Sequence, residues 1–453
     1  MNRHVITGGS GFVGRYLAAG LAGQNKKVVI FDLSAPEAPA PGVEYVRGDI
    51  RSSDDLAALR LSPGDTVYHL AARQFHLEVP RRARDAWFSD VNIRGTRNLL
   101  DAAQRRSIAG LVFFSTDMTY GRPQHAPVAP DHPQHPIGPY GRSKLEAEQL
   151  ILAAVKSGAL KATIFRPRLI AGAGRLGVLK KLFTLIRRGL PVPLIGSGRN
   201  RYQMVAVEDC VAAALAAVER GFPPGPFNLG SAAPPTVRDL LSTLISRVHS
   251  RSKLLPIPAR LLRLPLALCD RLGMPLLYPE QYEIADLDYI LDLSATEAAL
   301  DWHPGRRDED IIFDAYRAFV SGAECGNWPE RDAGTRRYAL ASAGSEPPLT
   351  QRSQAPTLAA IRRDQNQVIV IAFGQQEPGL RVEELHIRQG AVPGDRRILA
   401  GPGLAAVGGG EQATLVAAMR QEPSYLWRDE LDLGDVRLEA GVLFLPRRAS
   451  IRC

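Results

Sequence analysis

Along residues 1–166, short apolar runs alternate with stretches whose apolar positions recur every three to four residues. The apolar runs at 5–7, 28–32, 44–47, 66–70, 110–115 and 162–166 read as buried strands, and helical periodicity marks 12–22, 53–59, 85–105 and 139–157. Strand alternating with helix is the pattern of a parallel sheet with helices on both faces. From about 167 the pattern turns irregular, with shorter helical stretches at 178–188, 208–220 and 237–248. Beyond about 328 the chain is rich in Ala, Gly, Pro, Gln and Arg, and one apolar run, 368–373, stands out as a strand. Three segments are therefore expected: 1–166, a smaller lobe at 167–328 interleaved with the last strands of the sheet, and an extension at 329–453 to which no chemistry is assigned.

The first strand breaks into Thr7-Gly8-Gly9-Ser10-Gly11-Phe12-Val13-Gly14 before the first helix. A strand that ends in such a turn sets backbone N–H groups and the positive end of a helix dipole against a pyrophosphate, and glycines at 8, 11 and 14 leave room for that approach. The second strand delivers Asp32 eighteen residues after Gly14, where a carboxylate can accept hydrogen bonds from a ribose. Two like charges at about 4 Å near a protein surface repel by about 4 kcal/mol, so Asp32 selects NAD over NADP. Asp49, after the third strand, is placed to reach the adenine amino group. His69-Leu70-Ala71-Ala72 ends the fourth strand with small residues that let a cofactor lie close. The expected fold class is thus α/β: a doubly wound, Rossmann-type parallel sheet with a smaller C-terminal substrate lobe and an atypical C-terminal tail.

Charge and composition narrow the partners. The net charge of +9 resides mostly on arginine, and no lysine follows Lys253. Such a balance suits an anionic small substrate or an anionic membrane surface; no nucleic-acid motif accompanies it. The cysteines at 210, 269, 325 and 453 form no C-x-x-C pair, which points to reduced thiols, a cytoplasmic protein and no metal site. Residues 254–279 are the most apolar long stretch, but Arg260, Arg263, Asp270 and Arg271 interrupt it. At roughly 2.5–3.5 kcal/mol per central charge these oppose insertion by about 10 kcal/mol. The segment is expected to cover the substrate lobe, with lying on a membrane as the alternative. The basic run 179–188 reads as a solvated helix face.

The chemistry concentrates at Tyr140-Gly141-Arg142-Ser143-Lys144. Tyrosine and lysine at i and i+4 share a helix face, so the ammonium can lower the phenol's pKa from about 10 and ready it as a general base toward a carbinol hydroxyl. Lys144 can also hold the nicotinamide ribose. The fifth strand ends in Phe114-Ser115-Thr116-Asp117-Met118-Thr119-Tyr120-Gly121, and Thr116 is the expected partner of the substrate hydroxyl, with Ser115 second.

These stretches, with Asn92-x-x-Gly95-Thr96, Arg166-Pro167, 201–209, Phe227-Asn228-Leu229-Gly230 and Leu300-Asp301-Trp302-His303-Pro304, make residues 1 to about 322 resemble an extended short-chain dehydrogenase/reductase. Within that group the resemblance is to the NAD-dependent epimerase/dehydratase family acting on nucleotide sugars. It implies a catalytic set of Thr116, Tyr140 and Lys144. NAD would be held by Gly8, Gly11, Gly14, Asp32, Asp49, Ile50, Ala71 and Lys144, and Arg201 would grip a substrate diphosphate unless it serves a structural salt bridge. A homodimer is expected. The 4,6-dehydratases of the family read Thr-Asp-Glu where this chain has Thr116-Asp117-Met118; methionine cannot take a proton, so dehydration of that kind is disfavoured, and Asp117 is expected to be structural. Epimerisation of a nucleotide sugar is the expected activity. Oxidation or reduction of a sterol-like or other hydrophobic alcohol is the alternative, and a non-catalytic NAD-binding scaffold a second one.

Overall fold

The computed structural model describes residues 2–321, apart from 38–39, 76–78, 175–176, 178 and 273–276, together with six strands beyond residue 356. The chain divides into two compact units, Met1–Gly334 and Thr335–Cys453.

The first unit is built on a seven-stranded sheet. In chain order its strands are β1 (Arg3–Thr7), β2 (Lys27–Asp32), β3 (Val43–Arg47), β4 (Thr66–His69), β5 (Gly110–Phe114), β6 (Ala162–Pro167) and β7 (Phe227–Leu229). Their spatial order is β7-β6-β5-β4-β1-β2-β3, and every pairing is parallel. The order turns back between β1 and β4, the place where doubly wound sheets bind their ligands. Consecutive residues point to opposite faces, so β1 sends Val5 into one core and Ile6 into the other. Val5, Val29, Phe31, Val67 and Leu111 pack with the helices Thr96–Arg105 and Pro139–Lys156. Ile6, Ile30, Tyr68 and Val112 pack with Phe12–Gly23 and Val207–Glu219. Both faces being covered is why the strands read as continuous apolar runs.

The smaller lobe has its own core, in which Phe183, Ile186, Leu194, Met204, Leu244, Ile311 and Ile312 are buried. Within it Leu169–Ala171 pairs with Met204–Ala206, and Val192–Ile195 with Leu254–Ile257. The basic helix Leu179–Arg187 turns Leu179, Phe183 and Ile186 inward and leaves Lys180 and Lys181 exposed, the expected solvated face.

One expected helix is broken. Residues 85–105 form a helix at Arg84–Ser89, a wide π turn at Asp90–Gly95 and a second helix at Thr96–Arg105. The Asn92 amide is drawn out to the loop after β4, and Gly95 passes so close to Ile50 that a Cβ would sit 2.6 Å from its Cγ2. Such bulges recur at functional sites.

The 254–279 segment also differs from a simple cover. Its strand Leu254–Ile257 leads into the helix Ala259–Arg271, which is fastened to the protein by its polar residues and shows leucines to solvent. Cys210 and Cys269 are free thiols; Cys325 and Cys453 lie outside the described residues. Among the described residues no helix is long and apolar enough to cross a membrane, and no cluster of His, Cys, Asp and Glu could hold a metal ion.

In the second unit Thr357–Asp364, Gln367–Gln375, Gln412–Arg420 and Leu404–Val407 form, in that order, an antiparallel four-stranded sheet; Glu430–Leu433 pairs with Val436–Glu439. The expected strand 368–373 lies inside the second of these.

Candidate active site

The glycines of the opening turn are needed for two different reasons. Gly8 has φ +72°, and a Cβ there would stand 2.6 Å from the backbone nitrogen of Ala71; one on Gly14 would stand 2.5 Å from the Cα of Gly9. These two therefore also let the turn, the end of β4 and the first helix pack together. A Cβ on Gly11 would meet only the Gly8 carbonyl, at 3.1 Å, and otherwise enter open space. The helix Phe12–Gly23 that follows has no side-chain cap and no acidic residue in its first turn. The positive end of its dipole thus meets no carboxylate of its own first turn, so the residues present fit a dinucleotide.

Asp32 ends β2 with its Oδ2 accepting from the Ser10 backbone N–H at 3.0 Å, so the carboxylate also fastens the glycine turn. Asp49 is engaged: Arg51 holds both of its oxygens and reaches Asp90 at 2.8 Å, and the guanidinium keeps the Asp49 carboxyl below its ordinary range. Ile50 is buried under the sheet edge, and Ala71 lies against Gly8.

Tyr140 and Lys144 are both buried, one turn apart on the helix Pro139–Lys156. Gly141 brings that helix onto the turn after β5, where a Cβ would be 2.6 Å from the Met118 carbonyl oxygen. This is how Tyr140 and Thr116, distant in sequence, share a neighbourhood. Thr116 Oγ1 accepts from Met118 N–H at 3.3 Å and donates to Asp117 Oδ1 at 3.2 Å, whereas Ser115 Oγ is buried with no hydrogen-bond partner. The Lys144 Nζ lies 4.0 Å from the centre of the Phe113 ring. Burial pushes its pKa down to about 7, against a smaller upward pull from Glu148. Nearby His69 is driven down to about 3 by burial and then by Lys144. Thr96 gives its hydroxyl proton to the Asn92 carbonyl, so His69 must donate from Nε2 to Thr96 Oγ1 at 2.9 Å and accept from Thr7 at Nδ1. His69 is a neutral strut.

Asp117 forms a buried ion pair with Arg168, whose guanidinium is stacked between the rings of Tyr202 and Tyr289, each 4.1 Å away. Its expected structural role is what the geometry displays. Arg201 is half exposed and paired to Asp288 at 3.0 Å, the salt-bridge arrangement weighed for it.

Six side chains of this neighbourhood were given no role from the sequence. Gln74 donates to the Tyr140 hydroxyl at 3.2 Å. Phe75 and Phe88 face Tyr140 with ring centres 5.3 and 5.7 Å away, and Tyr278 stacks on Phe75 at 4.7 Å. Asn92 bonds the loop after β4 to Ser143. Glu280 is buried at the N-terminus of the Tyr140 helix, its Oε1 accepting from the Tyr140 N–H at 3.0 Å and its Oε2 unpartnered. No local pattern marks Glu280, because its partner lies 140 residues away.

Glu280 makes stability depend on pH. Burial pushes its carboxyl from 4.5 up to about 7, although the backbone N–H groups of Tyr140 and Gly141 pull the other way. A raised acid confers stability that is complete below the unfolded value and lost as pH rises through the folded one. At about 1.4 kcal/mol for each intervening pH unit, the ionised form costs the fold about 3 kcal/mol. Glu280→Gln keeps the acceptor and removes the charge. Urea midpoints should therefore match wild type near pH 4.5 and exceed it above pH 8; parallel curves would show that Glu280 does not titrate in this range.

Comparison with known proteins places this geometry. The model of the NAD dependent epimerase/dehydratase family matches residues 4–230. An uncharacterized protein of Sinorhizobium fredii is 32% identical over 69% of this chain and 77% of its own length. A dTDP-glucose 4,6-dehydratase of Streptomyces griseus is 32% identical over 54% of this chain and 78% of its own. The crystal structure of a Thermotoga maritima UDP-glucose 4-epimerase with UDP-glucose superposes with a TM-score of 0.59, at 24% identity, over 72% of this chain and 100% of that one. At that identity the likeness is one of fold.

Proposed function

Since the chain belongs to the NAD-dependent epimerase/dehydratase family, we propose that it epimerises a hydroxyl-bearing carbon of a nucleotide sugar through a transient ketone. Gly8, Gly11, Gly14, Asp32, Asp49, Ile50, Ala71 and Lys144 are the residues that would hold NAD, which when bound supplies the acceptor and donor of hydride. Tyr140 takes the hydroxyl proton and returns it, Lys144 sets the charge beside it, and Thr116 orients the hydroxyl. Arg201 would leave Asp288 to meet the substrate diphosphate, a fit for its planar fork.

The observation that favours this over dehydration is the state of Asp117. It is committed to Arg168 and followed by Met118, so the acid–base pair that removal of water needs is not presented. The chemistry falls to Tyr140, which is buried within reach of Gln74.

A second reading rests on the aromatic wall. Phe75, Phe88 and Tyr278 gather around the Tyr140 ring, and such a lining accommodates a hydrophobic alcohol. A panel of nucleotide sugars and hydrophobic alcohols, followed by mass analysis and NADH absorbance, separates the two. Isomerised sugar without net NADH is the expected result. Net NADH from a hydrophobic alcohol establishes the second reading, and a dehydrated sugar product refutes the first.

A further inference from the structure

The helix Ala259–Arg271 is oriented against the usual rule that apolar residues face the protein. Its inner side is fastened by charge: Arg263 donates to Asp286 at 3.0 Å, and Asp270 takes a two-pronged pair from Arg84 at 2.7 and 2.9 Å. Leu266 alone on this helix is buried. On the opposite side Leu261, Leu264, Leu268 and Leu272 are 61, 77, 55 and 55% exposed, in one continuous stripe spaced by three and four residues. Leu255, on the strand just before, is 52% exposed. Five of the eight large exposed hydrophobics among the described residues thus fall in one short segment, where singly scattered ones would need no explanation.

The exposed charges of residues 251–272 are of one sign. Arg260 and Arg271 are exposed at its edge, and Arg251 and Lys253 are exposed just before Leu254–Ile257. The only carboxylate of 251–272, Asp270, is turned inward to Arg84. A second copy of the chain is a poor occupant. An antiparallel pairing about a two-fold axis would set arginine against arginine, and a stripe about 20 Å long and one helix wide falls well short of the roughly 800 Å² per partner of a stable dimer.

We propose that this face docks the protein on a lipid bilayer with anionic headgroups. The leucine stripe enters the boundary between headgroups and acyl chains while Arg260, Arg271, Arg251 and Lys253 meet the phosphates, the division of labour of an interfacial helix. The helix lies along the surface; its inward ion pairs keep it on the protein and off a transmembrane path.

Flotation of the full-length protein with vesicles tests this. Phosphatidylcholine vesicles containing phosphatidylglycerol should bind it about tenfold more tightly than phosphatidylcholine alone, with the preference falling as salt rises. Leu264→Glu with Leu268→Glu should weaken binding at least about tenfold, with far-ultraviolet dichroism and urea midpoint close to wild type, since both side chains are mostly exposed and neither belongs to a core. Arg260→Glu with Arg271→Glu should abolish the preference for the anionic lipid. Absence of binding, equal binding of wild type and the leucine variant, or a dimer that the leucine variant dissolves while vesicles recruit neither protein, would each overturn the assignment. None of these readouts depends on which substrate the active site takes.

Discussion

Tyr140→Phe should lower turnover by about 10²–10⁴-fold, the range a positioned general acid–base group supplies, while NAD affinity stays close to that of the wild type. The ring keeps its place between Phe75 and Phe88, since only the hydroxyl is removed. What disappears is the oxygen that receives Gln74 and, in the proposed reaction, the substrate proton. Lys144 sits on Phe113 independently of that oxygen, so the part of the cofactor site assigned to it persists. Turnover on the substrate found by the panel, with NAD titration by fluorescence on the same preparation, checks the split. Residual activity within about tenfold of wild type would remove Tyr140 from the mechanism, and a parallel loss of NAD binding would make it a cofactor residue.

Most of this site was legible because its signals are local. The glycine turn, Asp32, and Tyr140 with Lys144 each follow from a few residues whose spacing fixes their direction along one strand or helix. Six of the seven strands of the sheet were found to within about two residues because burial on both faces leaves continuous apolar runs; the three-residue strand Phe227–Leu229 was not among them. Contacts between distant segments were not legible. Nothing near Glu280 announces that it caps the helix of Tyr140, and nothing near Gln74 announces its hydroxyl partner. The break at Asp90–Gly95 escaped notice because the apolar period continues through it, while its cause is the hold of the loop after β4 on Asn92. Residues 254–279 read only as an apolar stretch interrupted by charges, and such a stretch does not say which face of Ala259–Arg271 the protein keeps. There the ion pairs of Arg263 and Asp270 decided, against the usual preference for burying leucine.

Arg168→Met should destabilise the protein by about 3–5 kcal/mol, the cost of leaving one half of a buried ion pair without its partner. Arg168 and Asp117 side chains are 1 and 4% exposed, so water cannot take over the role of the missing guanidinium. Asp117 keeps some support, since Thr116 donates to its Oδ1, and Tyr289 holds its backbone carbonyl from the far side. That support suits a neutral amide as well as a carboxylate. Arg168→Met combined with Asp117→Asn should therefore recover much of the loss, whereas Asp117→Asn alone strands the arginine between Tyr202 and Tyr289 and is destabilising in its turn. Urea unfolding of the four proteins gives the coupling directly. A coupling energy near zero would mean that the pair is ornamental and that Asp117 is free to act as an acid, which would reopen the dehydration chemistry that its engagement argues against. A large coupling, with turnover retained in the double variant, would confine Asp117 to holding the turn on which Thr116 stands.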